Sequence, residues 1–385
     1  MNPGDPPFEI DPADDGERTM IRTARGRLPL PAARDGWVHD LVYTDDSGAP
    51  QRLRLEPGVA VRIGRRLPCD VILRDSEISG VHCQVVLAGE QVTVSDQGST
   101  NGSFVDGRRV LAPELLPHGS VLQVGRQIIK HEFRDGRELA QSQELDRDLG
   151  RASQYVQSLL PPPLRHGAVQ VEWVYEPSAR VGGDGFGYHA LDAHRLVMYL
   201  VDVSGHGVGA AMHGVSVLSA LRQQTLPETD FANPAQVLSR LNAMFQMDRH
   251  AGMFFTIWYG VHDARTGRLD YASGGHHPAF VLGPGAPPQP LQTRNLVIGA
   301  MPDAPFTAGR AALMPGQRLY IFSDGVFEIE PRDGSAFGLP EFLGLLGGTP
   351  PLGVSEPEHL FGVVRGLAPP GPLDDDFSLM VARAA

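Results

Sequence analysis

The sequence predicts a multidomain fold: an N-terminal all-β sandwich followed by a C-terminal α+β domain. Three observations carry this expectation. Residues 37–134 hold recurring short β-branched runs, separated by turn signals such as Asp75-Ser76, Ala88-Gly89 and Asp106-Gly107. Beyond Pro163, strand-like and helix-like patterns alternate, with hairpins and segregated helices. The 385 residues are enough for two or three domains at roughly 100–200 residues each.

The elements follow in order. Residues 1–36 are rich in Pro, Gly, Asp and Arg without periodic apolar positions, and are expected to form a disordered tail. Residues 37–135 form the sandwich, with strands expected at 59–63, 71–73, 85–87, 92–94, 121–124 and 128–133. Residues 136–165 are a helical linker. Leu145, Leu149, Ala152, Val156 and Leu159 follow a 4-3-4-3 spacing until Pro161-Pro162-Pro163 stops the helix. That seam suits either a short coiled coil joining two copies or one amphipathic helix packed on its own domain. Residues 166–385 form the second domain. Strands are expected at 169–175, 195–203, 254–261, 268–273, 318–322 and 377–383, and helices at 208–224 and 234–247.

Composition narrows the function. A hydrophobic fraction of 42% and a charged fraction of 20% are ordinary for a globular chain. The net charge of −12 gives no electrostatic reason to bind nucleic acid or an anionic membrane. The two cysteines, Cys69 and Cys83, sit among apolar residues, which points to buried small hydrophobes and not to a disulfide scaffold. No apolar run approaches the roughly 20 residues that cross a bilayer. The acidic, proline-rich start lacks the order of a secretory signal, so a cytoplasmic protein is expected.

Two constellations carry chemistry. In the first, Ile63-Gly64-Arg65 places an arginine just after a strand. Ser79-Gly80-Val81-His82 and Gly98-Ser99-Thr100-Asn101-Gly102 form loops rich in hydrogen-bonding side chains. A phosphate needs a forked cation and short hydroxyl donors, which Arg65, Ser79 and Thr100 supply, while Asn101 is placed to hold a peptide backbone. In the second, aspartates stand at strand ends and turns: Asp184 after Val181-Gly182-Gly183, Asp202 in Val201-Asp202-Val203-Ser204-Gly205-His206-Gly207, Asp324 in Ser323-Asp324-Gly325, and Asp374-Asp375-Asp376 before a late strand. Hard cations such as Mg²⁺ and Mn²⁺ take oxygen ligands, and a pair of them can clamp a phosphoryl group.

The order and spacing of the first set resemble the forkhead-associated (FHA) domain. The resemblance implies a sandwich whose loops bind phosphothreonine peptides through Arg65, Ser79, Thr100 and Asn101, with Gly64 and His82 architectural. The residue after the loop serine is often polar in that family. Here it is Gly80, so one peptide contact is expected to be missing.

The second set is similar to the PPM family of metal-dependent protein phosphatases, in its SpoIIE/RsbU-like branch. The motifs are Leu159-Leu160-Pro161, Val181-Gly182-Gly183-Asp184, Asp202-Val203-Ser204-Gly205-His206-Gly207, Ala272-Ser273-Gly274-Gly275-His276, Ser323-Asp324-Gly325 and Asp375-Asp376-Phe377-Ser378. The resemblance implies two antiparallel sheets flanked by helices, and a pair of Mn²⁺ or Mg²⁺ ions. Asp202 would bridge them, Asp184 and the Val203 carbonyl would serve one, and Asp324 and Asp375 the other, with Asp376 as the substitute for Asp375. Asp184 and Asp202 are the implied catalytic residues, and the implied reaction is direct in-line hydrolysis without a phosphoenzyme. The second aspartate that the family often carries shortly after the first is missing from Asp184-Gly185-Phe186-Gly187-Tyr188.

The combined expectation is a protein serine/threonine phosphatase acting on a phosphorylated signalling protein, in a pathway run by Ser/Thr kinases. The FHA ligand is a phosphothreonine-bearing partner or the protein's own tail, where Thr19 and Thr23 are candidate phosphorylation sites. The alternatives are an FHA adaptor or scaffold with a weak phosphatase domain, for which loss of Asp202 or Asp324 would be the sign. Both are present.

Overall fold

The computed structural model describes residues 36–385 apart from position 206. The segment carrying Thr19 and Thr23 lies outside the described residues. Two compact units divide within one helix, between Arg147 and Asp148.

The N-terminal unit contains β1 (Trp37–Thr44), β2 (Pro50–Arg54), β3 (Ala60–Gly64), β4 (Val71–Ile72), β5 (Cys83–Ala88), β6 (Gln91–Asp96), β7 (Ser103–Val105), β8 (Arg108–Arg109), β9 (Glu114–Leu115), β10 (Val121–Val124) and β11 (Gln127–Asp135). They form two sheets, ordered β2-β1-β11-β10-β7-β8 and β4-β3-β5-β6-β9. In β5, Cys83, Val85 and Leu87 are buried while the residues between them are less so. This is the period-2 signature of a strand with one face on a core. Leu41, Ile63, Val71, Leu73, Val94, Leu122 and Ile129 complete that core between the sheets. Cys69 and Cys83 are both buried and unbridged, as expected.

Helix α1 (Gly136–Ser158) follows. The second unit then runs β12 (Val169–Glu176), β13 (Gly185–Ala190), β14 (Arg195–Val203), α2 (Val208–Arg222), α3 (Pro234–Met244), β15 (Phe255–Asp263), β16 (Arg268–Gly274), β17 (Ala279–Leu282), β18 (Gln289–Leu291), β19 (Gly309–Ala312), β20 (Arg318–Phe322), α4 (Leu339–Leu343), α5 (Glu356–Leu367) and β21 (Phe377–Ala384). Its sheets are ordered β12-β21-β20-β17-β18 and β13-β14-β15-β16-β19, each antiparallel throughout.

Strand β14 shows why these layers form. Leu196, Met198 and Leu200 join the core between the two sheets, while Val197, Tyr199, Val201 and Val203 join a second core under α2 and α3. Both faces are covered, so the strand reads as an unbroken apolar run. A third core packs α5 against the other sheet through Leu360, Val364, Phe377 and Leu379. The layers are helix, sheet, sheet, helix.

The seam of α1 packs within the second unit. Val156 and partly buried Leu149 and Ala152 cluster with Val181 of the loop before β13 and with Ala211 and Val215 of α2. Of the seam residues, Leu145 alone is exposed. This is the locally packed amphipathic helix, one of the two forms the spacing allowed.

Candidate active site and phosphate-reading loops

The second unit gathers its aspartates where strands end. Asp202 is the penultimate residue of β14, paired across the sheet with Thr256. Gly205 and Gly207 then turn the chain with φ of 87° and 86°, left-handed values that favour glycine. Asp324 opens a short 3₁₀ turn just after β20. Asp375 and Asp376 precede β21. The Ser323 hydroxyl ties these ends together: it donates to the Asp376 carbonyl at 2.9 Å and accepts from the Ser378 N–H at 3.1 Å.

The two neighbouring carboxylates at 375 and 376 have different work. Asp376 is buried, and its oxygens accept from Ser178 N–H at 2.8 Å, Ser178 Oγ at 2.9 Å, Gly183 N–H at 2.7 Å and Asp184 N–H at 3.3 Å. It is committed to holding the 178–184 segment, while Asp375, which also lines the cleft, is exposed. Gly182 has no room for a Cβ, which would strike the Asp376 carboxylate and the Tyr175 hydroxyl. A Cβ on Gly183 would stand 3.1 Å from the Val203 carbonyl oxygen. The Gly-Gly pair is therefore what lets this loop press against both Asp376 and Val203.

A cleft of about 490 Å³ is lined by Asp202, Val203, Asp324, Asp374, Asp375 and Thr256, among others. Asp184 lies behind it, 5% exposed, and accepts a 2.7 Å hydrogen bond from Ser378 Oγ. Burial, reinforced by Asp324 and Asp375, pushes the Asp202 carboxyl up to about 7. Burial, then the charges of Asp202 and Asp376, raises Asp184 well above the usual carboxylate range. Asp375 is raised by burial and by Asp324. Among the described residues, no lysine, arginine or histidine lines this cleft.

Among the described residues, no three His, Cys, Asp or Glu side chains are drawn into a ready ligand cage. The donor set nonetheless fits hard divalent cations. Such ions keep several waters and need only one or two carboxylates each, and they relieve the mutual repulsion that raises these carboxyls. The stretch after Asp184 supplies no further carboxylate: Phe186 and Tyr188 point into the inter-sheet core, and the Tyr188 hydroxyl donates to the Pro162 carbonyl. His276 is fully buried, with Nδ1 donating to the His277 carbonyl at 2.8 Å, and burial lowers its pKa well below the usual value. It shapes the turn as a neutral ring. His206 lies outside the described residues.

In the N-terminal unit, two loops meet at Ser79 and Thr100. Thr100 N–H donates to Ser79 Oγ at 3.0 Å, and the hydroxyls lie 3.4 Å apart. Arg65 is exposed beside them, its N–H donating to the Ser79 carbonyl at 3.0 Å. Asn101 is exposed, and its amide donates to the Glu77 carbonyl at 2.8 Å. The four predicted residues thus share one surface. His82 is fully buried: Nδ1 accepts from Ser79 N–H and Nε2 donates to the Gly102 carbonyl at 3.0 Å. It braces the loops from beneath. Gly64 is equally confined, since a Cβ would meet the Gly80 carbonyl and lie 2.7 Å from Cys69 Sγ.

Sequence reasoning missed Asp96. Its carboxylate accepts from Gly98 N–H, Ser99 N–H, Ser99 Oγ and Ser103 Oγ at 2.6–3.0 Å, fixing the loop that presents Thr100 and Asn101. An aspartate two residues before a glycine, with serines following, is an Asx-turn signal available in the sequence.

Comparison with known proteins agrees with this geometry. Residues 192–385 match the family Stage II sporulation protein E (SpoIIE), and residues 61–125 match the FHA domain. The chain belongs to the SpoIIE family and carries an FHA domain ahead of the matched region. It is 28% identical over 186 residues to phosphoserine phosphatase RsbP of Bacillus subtilis, covering 47% of this chain and 45% of that one. It is 30% identical over 106 residues to the FHA domain-containing protein FhaB of Mycolicibacterium smegmatis, covering 28% of this chain and 68% of that one. The SiaA-PP2C domain of Pseudomonas aeruginosa shares the fold of the second unit, with a TM-score of 0.54, 20% identity, and coverage of 63% of this chain and 98% of that one. The chain spans about half the length of the curated phosphatases it matches.

Proposed function

We propose that this protein is a metal-dependent protein phosphatase that hydrolyses phosphoserine or phosphothreonine on a signalling protein, with an FHA domain that targets or regulates it by binding phosphothreonine. The observation that carries the reading is the cleft in which Asp202, Asp324 and Asp375 converge, with Asp202 and Asp375 raised by burial and by neighbouring carboxylates.

Asp202 would serve both of two Mn²⁺ or Mg²⁺ ions, Asp184 and the Val203 carbonyl would serve one, and Asp324 and Asp375 the other. When bound, such ions activate water and neutralise phosphoryl charge. The protein's own work is to hold the donors. Ser378 orients Asp184, and Asp376 fixes the loop that carries Gly183 against Val203. In the FHA domain, Arg65 supplies the forked cation for phosphate, Ser79 and Thr100 the hydroxyls, and Asn101 a contact to peptide backbone.

The FHA ligand is a phosphothreonine made by a Ser/Thr kinase, on a partner or at Thr19 or Thr23 of the chain itself. Among the described residues no helix is long and apolar enough to cross a membrane, and a cytoplasmic setting suits both domains. The packing of α1 gives no support to a homodimer through residues 145–159.

Hydrolysis of a phosphoserine or phosphothreonine peptide, measured before and after chelation and then with Mn²⁺ restored, tests the enzymatic reading. Activity should vanish and return. Turnover undiminished by exhaustive chelation would contradict it.

A further inference from the structure

Gly80 and Gly102 mark the resting places of two arginines. A Cβ on Gly80 would stand 2.8 Å from Arg66 Nε and 3.3 Å from its Nη2. A Cβ on Gly102 would stand 2.8 Å from Arg109 Nε and 3.2 Å from its Nη2. Gly80 directly follows Ser79, and Gly102 directly follows Asn101. Each guanidinium therefore occupies space that a side chain on the phosphate-reading loop would otherwise fill.

Both arginines are exposed, and among the described residues neither has an ion-pair partner. Three other arginines of this unit are engaged: Arg126 pairs with Glu77 at 2.9 Å, and Arg52 and Arg134 with Asp40 at 3.0 and 2.8 Å. The Arg66 guanidinium, from the preceding turn, thus stands where a side chain at position 80 would be, and the Arg109 guanidinium stands at the other loop.

We propose that Arg66 and Arg109 form a second anion-binding element beside the phosphate pocket, which selects phosphothreonine peptides carrying an acidic side chain close to the phosphothreonine. The inference rests on the FHA reading above and adds to it. A guanidinium fork matches a carboxylate in two parallel hydrogen bonds. Each glycine lies one residue, about 3.8 Å along the chain, from a pocket residue. An extended peptide advances about 3.3–3.6 Å per residue, so the acidic side chain belongs within about three positions of the phosphothreonine.

The test uses the full chain and synthetic phosphothreonine peptides whose flanking positions are all glutamate or all alanine, with affinity read by fluorescence anisotropy. The wild type should bind the glutamate peptide roughly five- to tenfold more tightly, as one or two charge-assisted contacts imply. In the Arg66→Ala/Arg109→Ala variant that ratio should fall to near one. Gly80→Ala gives a second route. Gly80 is not in the left-handed region, so a methyl is tolerated by the backbone, and the flexible end of Arg66 must move aside. This variant should show a reduced ratio. Equal wild-type affinity for the two peptides, or a ratio that survives in the double variant, would overturn the proposal. Failure of the FHA reading looks different: the alanine-flanked peptide would bind equally well with and without its phosphate.

Discussion

At the scale of single residues, neighbouring identical side chains take unlike roles. Asp375 and Asp376 read alike in the sequence, and only the hydrogen bonds of the fold separate them. Asp376 accepts four hydrogen bonds from the 178–184 segment, so Asp376→Ala leaves buried donors unsatisfied. It should cost about 2–4 kcal/mol of stability, whereas Asp375→Asn should leave the thermal midpoint of the metal-free protein unchanged or slightly raised. Thermal unfolding of the two variants without added metal checks this, and equal destabilisation would refute the division of labour. Asp202 and Asp324 were legible because each motif joins an apolar strand to a glycine turn, and Asp184 because it directly follows the Gly182-Gly183 pair. The roles of Asp376 and Ser378 were not, because they depend on segments far apart in the chain, Asp376 reaching residues nearly two hundred positions away, while Asp96 was missed although its partners lie within seven residues. Asp96 alone of the three has a local signal.

At the scale of elements, legibility followed apolar patterning. Strand β20 was expected at 318–322 and is found at Arg318–Phe322. Strand β13 was missed because Gly185 and Gly187 break its pattern. Those glycines are needed: a Cβ on Gly185 would collide with Leu218 of α2, and one on Gly187 with the Tyr199 ring. Helix α5 was also missed, although Ser355 and Glu358 form a capping box at its start. On β13, both ring nitrogens of His189 are buried without partners among the described residues, and burial pulls its pKa down to about 4. The folded state therefore favours the neutral ring. Its folded pKa lies below the unfolded value of about 6.5, so the stabilisation is complete above pH 6.5 and is lost as pH falls toward 4. His189→Leu should lose less of its thermal midpoint between pH 7.5 and 4.5 than the wild type. Identical pH profiles would rule out His189 as a contributor. For α1, Val156 is 7% exposed against Val181 and Ala211. Val156→Ala should destabilise the second unit by about 1–2 kcal/mol at any protein concentration. A midpoint that shifts with concentration in the wild type, and not in the variant, would point instead to pairing between copies.

At the scale of the whole molecule, the proposed function joins a reader of phosphate to an eraser of phosphate, with separate chemistries in the two units. Arg65→Ala removes the forked cation from the FHA surface. It should lower phosphothreonine-peptide affinity at least tenfold, as loss of a charge-assisted pair implies, while hydrolysis of a small aryl phosphate continues at the wild-type rate. Calorimetric titration and a colorimetric assay on the same preparation read both. The two-domain plan was visible in the sequence because each domain has its own motif set and its own strand rhythm. What each domain recognises was less visible, because it depends on side chains such as Arg66 that fold back over neighbouring loops. The central claim, that clustered aspartates hold the metals that drive hydrolysis, meets its most direct test in Asp202→Asn. The substitution removes one negative charge and keeps the side chain's shape. With Mn²⁺ in excess, the variant should remain folded by circular dichroism and lose at least about 100-fold in turnover, the equivalent of some 2.7 kcal/mol of barrier. Wild-type turnover by folded Asp202→Asn protein would contradict the account.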